Sequence, residues 1–396
     1  MPGPLFNSWM PIPFVGKKCA KLTCGHVFKG VGEDTDLVEC PRCGTQNATG
    51  HESRFRSQFE TPRSSVRYPK AAAGRAIAYA SAIYGLATHS QGIDFAHIED
   101  IVGRRLGASL RVDPARIELL AVGTRGAKGA EDHSAGWLIV VVRGTSPVSS
   151  GKPRDWTLIY VVFRGSRGDL QGAKNPNGAG WGDRGDGPMN IDWRSNFDGQ
   201  QVKAHWAADC RVHKGISELF ASTCGEIVTH LKALVAKHPH PQVIVTGHSL
   251  GAGLATLCAH HLQRKAGISP FCFAFCSPRV GNLAFVRDFN HRLAAIRGRL
   301  WSEFDEVNFT RSVNFYQWND PISGVGLLHK GNTGKHGFRS AMSDSIADSG
   351  SIAKQGGMAK LKRTTGEIIY YHAGNLYNTG TGMHEFTAMQ RAILGE

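Results

Sequence analysis

The sequence predicts an α/β fold in which a β-sheet is covered by helices on both faces. Three observations support this prediction. Runs rich in β-branched and aromatic residues alternate along the chain with segments of helical apolar spacing. The run Phe271–Phe275 is continuously apolar, as a strand buried on both faces should be. A serine between glycines, Ser249, separates a strand-like segment from a helix-like one.

Each element is justified by its own pattern. Residues 70–89 carry Ala, Ile, Tyr and Leu at helical spacing and predict an amphipathic helix. Residues 137–142 and 156–163 predict two strands. The segment between them is short and rich in Pro, Ser and Gly, so we expect the two strands to be adjacent in the sheet. Residues 218–237 predict a helix that stops at a His-Pro pair. Three further strands are predicted at residues 243–246, 271–275 and 313–318.

The pentapeptide GHSLG at residues 247–251 is the most informative segment of the chain. A β-branched run leads into it, and residues 254–257 lead out of it at helical spacing. Strand, sharp turn and helix in this order are what a nucleophile elbow requires, and the flanking glycines relieve crowding at the turn. We therefore predict that Ser249 is a catalytic nucleophile; a plain glycine-rich turn is the alternative.

Composition and charge limit the class of protein. With 396 residues, 41% hydrophobic and 20% charged, the chain resembles a globular protein that forms one large domain or one plus a small module. We expect no apolar stretch of membrane-spanning length. The formal net charge of +14 predicts attraction to anionic surfaces, including transient binding to an anionic lipid surface. No single basic tract dominates, so no specific nucleic-acid partner is expected.

The N-terminal residues and the cysteine content indicate the cellular compartment in which the protein could function. The start, MPGP, lacks a basic region followed by an apolar one, so we expect no conventional signal peptide. A cytoplasmic enzyme and one exported without a cleaved signal are both compatible with this expectation. An odd total of nine cysteines argues against a disulfide framework. Five of them lie largely in apolar runs and are expected to be reduced core residues: Cys210, Cys224, Cys258, Cys272 and Cys276.

The other four cysteines lie near the N-terminus and resemble a zinc ribbon. Cys24 and His26 form one predicted knuckle, and Cys40 and Cys43, at C-x2-C spacing, form the second, with a short hairpin between them. Thiolates in tetrahedral reach suit a structural zinc ion. The first knuckle departs from the usual spacing, so Cys19 and His26 compete to complete a set of four ligands. A disulfide and unliganded thiols remain alternatives.

Motifs in the remaining chain resemble the class 3 (fungal-type) lipase family of α/β-hydrolases. Five motifs occur in the family's order: FRGS at 163–166, VHKG at 212–215, TGHSLG at 246–251, FCSPRVGN at 275–282 and ND at 319–320. The resemblance covers roughly Ala71 to the C-terminus and implies an α/β-hydrolase fold with a mostly parallel central sheet covered by helices. It divides the chain into a zinc-ribbon-like module at 1–47, a linker at 48–69 and a hydrolase domain at 70–396.

The chain departs from the family pattern in three places. These are the N-terminal module, a glycine-rich insertion directly after Ser166, and a long stretch at residues 330–362. Residues 165–187 hold eight glycines, which predicts a mobile loop rather than a calcium site. Because the family places its lid here, we interpret the loop as a cover over the site; a passive surface loop is the alternative.

The resemblance assigns a Ser-Asp-His triad. Asp320 follows Ser249 at the end of a predicted strand, and α/β-hydrolases order their triads as serine, acid and histidine. Asp288 and Asp305 are weaker candidates. The histidine is His384, because family members place it directly ahead of a C-terminal helix such as the amphipathic run from Phe386; His329, His336 and His372 are alternatives. The oxyanion hole is assigned to the N–H of Leu250 and to Ser166.

The expected activity is that of a serine carboxylester hydrolase, a lipase or esterase acting on triacylglycerol or phospholipid. Catalysis needs no cofactor, and zinc is expected only as a structural ion. Two other functions were weighed against it: an acyltransferase on the same scaffold, and an adaptor built on the zinc ribbon with a degenerate hydrolase domain. The complete set of Ser249, Asp320 and His384 argues against degeneracy.

Overall fold

The computed structural model describes a set of segments that are separated by gaps along the chain. They are residues 37–39, 42, 46–48, 66–86, 93–125, 135–146, 154–166, 201–238, 240–298, 300, 309–317, 372–379 and 386–394. The five proposed zinc ligands, Asp320, His384 and the glycine-rich segment after Ser166 lie outside these residues.

The strands and helices follow one another in an α/β order. The strands are β1 Leu37–Glu39, β2 Gln46–Ala48, β3 Ile117–Arg125, β4 Ala135–Ser146, β5 Arg154–Phe163, β6 Gln201–Ala204, β7 Ala207–His213, β8 Pro241–His248, β9 Phe271–Phe275, β10 Arg297–Gly298, β11 Phe309–Thr310, β12 Ser312–Tyr316 and β13 Asn375–Asn378. The helices are α1 Lys70–Leu86, α2 Phe95–Leu106, α3 Lys214–Lys237, α4 Leu250–His261, α5 Leu283–Phe289 and α6 Phe386–Leu394.

Seven strands form the central sheet in the order β13-β12-β9-β8-β5-β4-β3. The strands from β13 to β5 pair in parallel, whereas β5–β4 and β4–β3 pair antiparallel. This confirms the predicted mostly parallel sheet and the predicted pairing of the strands at 137–142 and 156–163. Parallel strands place all their carboxyl ends at one edge of the sheet, where α/β proteins bind their ligands.

The sheet is covered by apolar side chains on both faces, as predicted. On one face Val245 of β8 packs with apolar residues of α3, α4 and α5. On the other face Ile244 packs with residues of α1, α2 and α6. Adjacent residues of a strand point to opposite faces, so an uninterrupted apolar strand supplies both layers at once. The five scattered cysteines are buried in these layers and form no disulfide, as predicted.

Helix α3 differs from its prediction at its start and in its length. It begins at Lys214 instead of residue 218, and the side chain of His213 accepts a hydrogen bond from the Ile216 N–H at 3.5 Å. A histidine cap of this kind is not a usual helix-start signal. At 24 residues α3 also meets the length and composition of a membrane-crossing helix, a criterion that a buried core helix can meet as well. Ten of its residues are buried, and its apolar ones lie in the core, which accounts for its composition.

Two short strands are described in the N-terminal segment. Strands β1 and β2 pair antiparallel, with Glu39 opposite Gln46. The six residues that connect them include Cys40 and Cys43. In the sequence, the second predicted knuckle therefore lies between the two strands of this hairpin. The hairpin predicted between the two knuckles falls largely on residues 27–36, outside the described residues, and stays a prediction.

Candidate active site

The elbow between β8 and α4 has the backbone strain expected of a nucleophile turn. Ser249 has φ +57° and ψ −125°, and it connects the last residue of the strand to the first residue of the helix. A non-glycine residue at positive φ typically costs about 1–3 kcal/mol and persists only where its surroundings enforce it. The Ser249 N–H donates to the Phe275 carbonyl at 3.0 Å, and its own carbonyl accepts from the Ala252 N–H at 3.0 Å. Two neighbouring elements therefore hold the strained turn.

Two glycines of the pentapeptide are required by close backbone packing. A Cβ added to Gly247 would lie 2.8 Å from the Phe163 carbonyl oxygen and closer still to the backbone of Gly251. A Cβ added to Gly251 would lie 2.8 Å from the carbonyl carbon of Arg164. Side chains at these positions would push the end of β5 away from the elbow. Glycine therefore serves here to bring three backbone segments together.

The proposed oxyanion residues lie at this junction. In the β5–β8 pairing Phe163 is opposite Gly247, so the segment Arg164–Ser166 continues β5 alongside the elbow. A Cβ on Gly165 would lie 2.6 Å from the His248 carbonyl oxygen, and Ser166 itself is buried. Leu250 is the first residue of α4, where N–H groups have no partner inside the helix. The two proposed oxyanion residues therefore lie on adjoining backbone segments.

His248 is buried between two aromatic side chains, which fits the structural role predicted for it. Its Nδ1 lies 3.3 Å from the Tyr84 hydroxyl of α1, and its ring centroid lies 4.1 Å from that of Phe386 in α6. Tyr84 also packs edge-on against Phe386. The first residue of the C-terminal helix is thereby fixed against the residue that precedes Ser249.

The two histidine candidates that bear on this edge differ in position. His384 lies outside the described residues, two positions before Phe386. His372 is described: it is buried, its Nδ1 lies 3.3 Å from the Asn314 side-chain amide, and it precedes the amino end of β13. Because β13 is parallel to the other strands, this is the end opposite to Ser249. The position of His372 therefore argues against it as the triad histidine, whereas His329 and His336, like His384, lie outside the described residues.

The structure describes the strand that leads to Asp320 but not Asp320 itself. Strand β12 ends at Tyr316, and its Phe315 carbonyl accepts from the N–H of Cys276 just after β9. One strand, β9, separates β12 from β8, so the two carboxyl ends are roughly 10 Å apart. A loop after β12 thus starts beside the elbow. Of the weaker acid candidates, Asp288 lies in α5 and bonds to His260, and Asp305 is outside the described residues.

A second group of metal-ligand side chains is present in the described part of the chain. The ligand atoms of Cys210, His260 and Asp288 lie within 4.8 Å of one another. Trp206 Nε1, which can only donate, lies 2.9 Å from His260 Nδ1, and His260 Nε2 lies 2.6 Å from Asp288. The neutral ring therefore carries its proton on Nε2 and has no free lone pair for a metal.

Charges and burial around this group also fit a structural network. Burial raises the pKa of the Cys210 thiol to about 12, which disfavours a thiolate ligand. Burial alone would raise the pKa of Asp288, but hydrogen bonds from His260 and Arg292 lower it to about 2. Arg264 lies 3.3 Å from the same carboxylate. Two arginines and a histidine therefore already balance the negative charge of the Asp288 carboxylate.

Comparison with known proteins places part of this chain in a family context. The sequence model of the family described as "Lipase (class 3)" matches residues 184–314, about a third of the chain. This segment resembles class 3 lipases. It contains the VHKG, elbow and FCSPRVGN motifs, so the match supports the resemblance found from the motifs. The FRGS motif, which contains Ser166, lies outside the matched segment. Asp320 and His384 also lie outside it.

Several curated proteins and solved structures are similar to parts of this chain. "Secreted mono- and diacylglycerol lipase A" of Penicillium cyclopium is 30% identical over 148 residues, covering 34% of this chain and 43% of its own. "Secreted mono- and diacylglycerol lipase 1" of Fusarium solani is 36% identical over 101 residues, covering 25% and 30%. The chain thus spans less than half the length of these relatives. Among solved structures, the lipase of Rhizopus microsporus var. chinensis aligns with 16% identity and a TM-score of 0.41, covering 75% of this chain and 79% of its own.

Tyr84 is the residue at this site that the sequence did not reveal. It lies in an alanine-rich helix, and its partner His248 is 164 residues away. No local motif marks it. The close approach of its hydroxyl to Gly165, where a Cβ would collide with it, could be found only in three dimensions.

Proposed function

We propose that this protein is a serine carboxylester hydrolase, a lipase or esterase that cleaves fatty acyl esters without a catalytic cofactor. The observation that carries the proposal is Ser249, held at φ +57° between a parallel strand and a helix N-terminus. The end of β5, with Ser166, abuts the same turn. A strained serine, convergent N–H donors and a following helix are the arrangement of acyl-transfer catalysis.

Each proposed residue has one role in the reaction. Ser249 Oγ attacks the acyl carbonyl, and His384 takes the serine proton and gives it to the leaving alcohol. Asp320 orients the histidine and stabilises its protonated form. Water, activated by the same histidine, then releases the fatty acid. The support for His384 is its position two residues before Phe386, whose ring contacts His248. The Cα atoms of His384 and Phe386 are at most about 7 Å apart.

The negative charge of the tetrahedral intermediate needs donors aimed at the oxyanion. We assign the Leu250 N–H and the N–H and hydroxyl of Ser166 to this role. One such donor typically stabilises the transition state by about 2.7–4 kcal/mol. The buried, closely packed junction of β5 and the elbow supports this assignment, since an interaction of fixed dipoles is stronger where water is excluded.

The substrate is an acyl ester of glycerol. Several relatives are named mono- and diacylglycerol lipases, which favours partial or complete acylglycerols. "Phospholipase A1-II 6" of Oryza sativa, 31% identical over 109 residues, keeps phospholipid as a second candidate. Rates on monoacyl-, diacyl- and triacylglycerol and on phosphatidylcholine, all of one chain length, would rank these. Two relatives are named as secreted, which supports the exported option.

Hydrolysis of a p-nitrophenyl ester series tests the activity. The wild-type chain should release p-nitrophenol and free acid, and Ser249→Ala should not. Ser222→Ala is a matched control, because that hydroxyl bonds only within α3, to the Leu219 carbonyl at 2.7 Å. An acyltransferase would instead form a new ester with added glycerol faster than free acid. Equal activity in wild type and Ser249→Ala would refute both enzymes.

We also propose that the N-terminal module binds one structural zinc ion through four of Cys19, Cys24, His26, Cys40 and Cys43. The β1–β2 hairpin supports it, because a knuckle with C-x2-C spacing lies between its strands. Metal analysis of the freshly purified full-length chain should find one zinc per chain. Cys40→Ser with Cys43→Ser should lose the zinc and keep esterase activity. Zinc-free wild-type protein would refute the module.

A further inference from the structure

A cavity at the amino edge of the sheet is lined by an arginine that has no carboxylate partner among the described residues. The cavity has a volume of about 330 Å³ and lies where α3 ends and where β8 and β9 begin. Arg311, just before β12, projects into it, and none of its lining residues is acidic. Ligand cavities are typically about 300–1,000 Å³, so this one suits a small molecule.

Arg311 is held in place by groups that do not neutralise it. Its Nη1 donates to the Ser269 carbonyl at 2.6 Å, and its guanidinium carbon lies 5.2 Å from the centroid of the Phe271 ring. A Cβ on Gly298 would lie 2.9 Å from the same carbon, so the Gly298 backbone packs against the guanidinium. These contacts fix the orientation of the cation.

Within the described segments, no carboxylate lies within salt-bridge distance of Arg311, and its buried Nε has no hydrogen-bond partner. Burial lowers the pKa of Arg311, so the charged form is disfavoured where it stands. The buried Arg75, by contrast, is bound by both carboxylate oxygens of Glu99 at 2.6 and 2.7 Å. A partly buried cation without a counter-charge is unfavourable, and an anionic ligand would remove that penalty.

Two further polar side chains line the cavity beside Arg311. His240 and Gln242 line the same cavity, and His240 is held at φ +46° in the turn between α3 and β8. A guanidinium at a cavity without acidic lining residues favours an oxyanion with several acceptor atoms. We propose that this cavity binds the phosphate group of a small soluble phosphate ester or of inorganic phosphate.

The position of the cavity decides between a soluble and a membrane-bound phosphate. Strand β8 runs from the cavity at Pro241 to the elbow at His248, a span of roughly 20 Å. Under the proposed function, the carboxyl edge must face the lipid that holds the substrate. The cavity at the amino edge then faces away from that lipid surface. A phospholipid in the same surface therefore cannot place its headgroup in the cavity. The ligand is therefore free in solution and does not contact the reacting atoms.

A second cavity at the same edge provides an internal control. It has a volume of about 220 Å³ and is lined by Arg116 and Arg143. These arginines have partners: Arg116 donates to the Thr145 hydroxyl at 3.3 Å, and Arg143 lies 3.8 Å from Glu118. Arg143→Gln removes the same charge as Arg311→Gln from a compensated site.

Calorimetric titration of the full-length chain with inorganic phosphate and with glycerol 1-phosphate tests the proposal. We expect saturable binding at one site with a Kd on the order of 1 mM. Arg311→Gln should weaken it at least tenfold, and Arg143→Gln should leave it within twofold. Hydrolysis of a soluble p-nitrophenyl ester should be unchanged in both variants. This readout separates failure of the phosphate site from failure of the proposed esterase.

A second variant guards against misfolding of Arg311→Gln. Gln242→Glu should abolish phosphate binding and keep or raise the unfolding temperature, because it supplies a carboxylate to the same cavity. Flotation with phosphatidylcholine vesicles containing phosphatidic acid should not depend on Arg311. Three results would overturn the proposal: no saturable phosphate binding by the wild-type chain, phosphate binding as tight as wild type in Arg311→Gln or in Gln242→Glu, or Arg311-dependent binding to vesicles without binding of soluble phosphate.

Discussion

The two edges of the central sheet are built on opposite principles. At the carboxyl edge, the end of β5 and both sides of the elbow pack backbone against backbone, and Ser249 is strained and buried. At the amino edge, the ends of β8 and β9 border an open cavity in which Arg311 lacks a carboxylate among the described residues. The carboxyl edge is closely packed around Ser249, whereas the amino edge has an open cavity beside a positively charged side chain.

This difference indicates what each edge can do. Strain in a turn persists only when the surroundings over-determine it, which suits a group that must meet a reacting carbonyl at one angle. An uncompensated cation beside a cavity suits reversible binding. Substitutions at the carboxyl edge should therefore affect catalysis strongly, and substitutions elsewhere should affect stability or binding with little effect on catalysis.

Loss of the nucleophile should have the largest effect. Ser249→Ala should lower kcat for a p-nitrophenyl ester by about 10⁴-fold or more, because a triad acts as a unit. Steady-state kinetics measure this, and circular dichroism should show an unchanged fold. Residual activity within tenfold of wild type would remove Ser249 from the mechanism.

Separation of β5 from the elbow should have the next largest effect. Gly251→Ala places a Cβ against the backbone of Phe163 and Arg164, so we expect a loss of activity of about 10²-fold together with a clear drop in unfolding temperature. Gly225→Ala in α3 is the matched control. Its Cβ would meet nothing within 4 Å, and helix propensity predicts a gain of up to about 1 kcal/mol. Similar behaviour of the two variants would contradict the close packing.

Removal of the Ser166 hydroxyl tests the oxyanion assignment. Ser166→Ala keeps the backbone N–H, so kcat should fall by about 10²-fold with little change in KM, as expected for a donor that acts only in the transition state. A rise in KM at constant kcat would instead indicate a role in substrate binding.

The Tyr84 hydroxyl should have a smaller effect, since it acts through His248. Tyr84→Phe should lower kcat by about three- to tenfold without unfolding the protein. Tyr79→Phe on the same helix is the control, because the Tyr79 hydroxyl is buried without a hydrogen-bond partner and its removal should be neutral or stabilising. A larger loss in Tyr79→Phe than in Tyr84→Phe would contradict this positioning role.

The smallest effect concerns pH and the far end of α4. Burial lowers the pKa of His261 from 6.5 to about 4, so the unfolded chain binds this proton first. As the pH falls from about 6.5 to 4, the free energy of unfolding should therefore decrease. The decrease should be on the order of 1 kcal/mol, because His261 is partly exposed. His261→Gln should flatten that decline in thermal unfolding, and an identical slope in both proteins would refute it.

Much of the fold could be predicted because its signals are local. The buried strands and the elbow follow from runs of apolar residues and from glycine spacing. The short strand β13 and the hairpin of β6 and β7 were missed, because their alternating polar residues resemble loops. The contacts of Tyr84 with His248 and of Arg311 with Phe271 join distant parts of the chain and left no local pattern.

Covalent labelling is the most direct test of the central claim that the carboxyl edge holds an activated serine. The full-length chain is treated with an alkyl p-nitrophenyl phosphonate, digested and analysed by mass spectrometry. We predict one label per chain on Ser249, complete loss of ester hydrolysis in parallel with labelling, and no label in Ser249→Ala. Stoichiometric labelling of another residue, or full activity in a chain labelled at Ser249, would contradict the account.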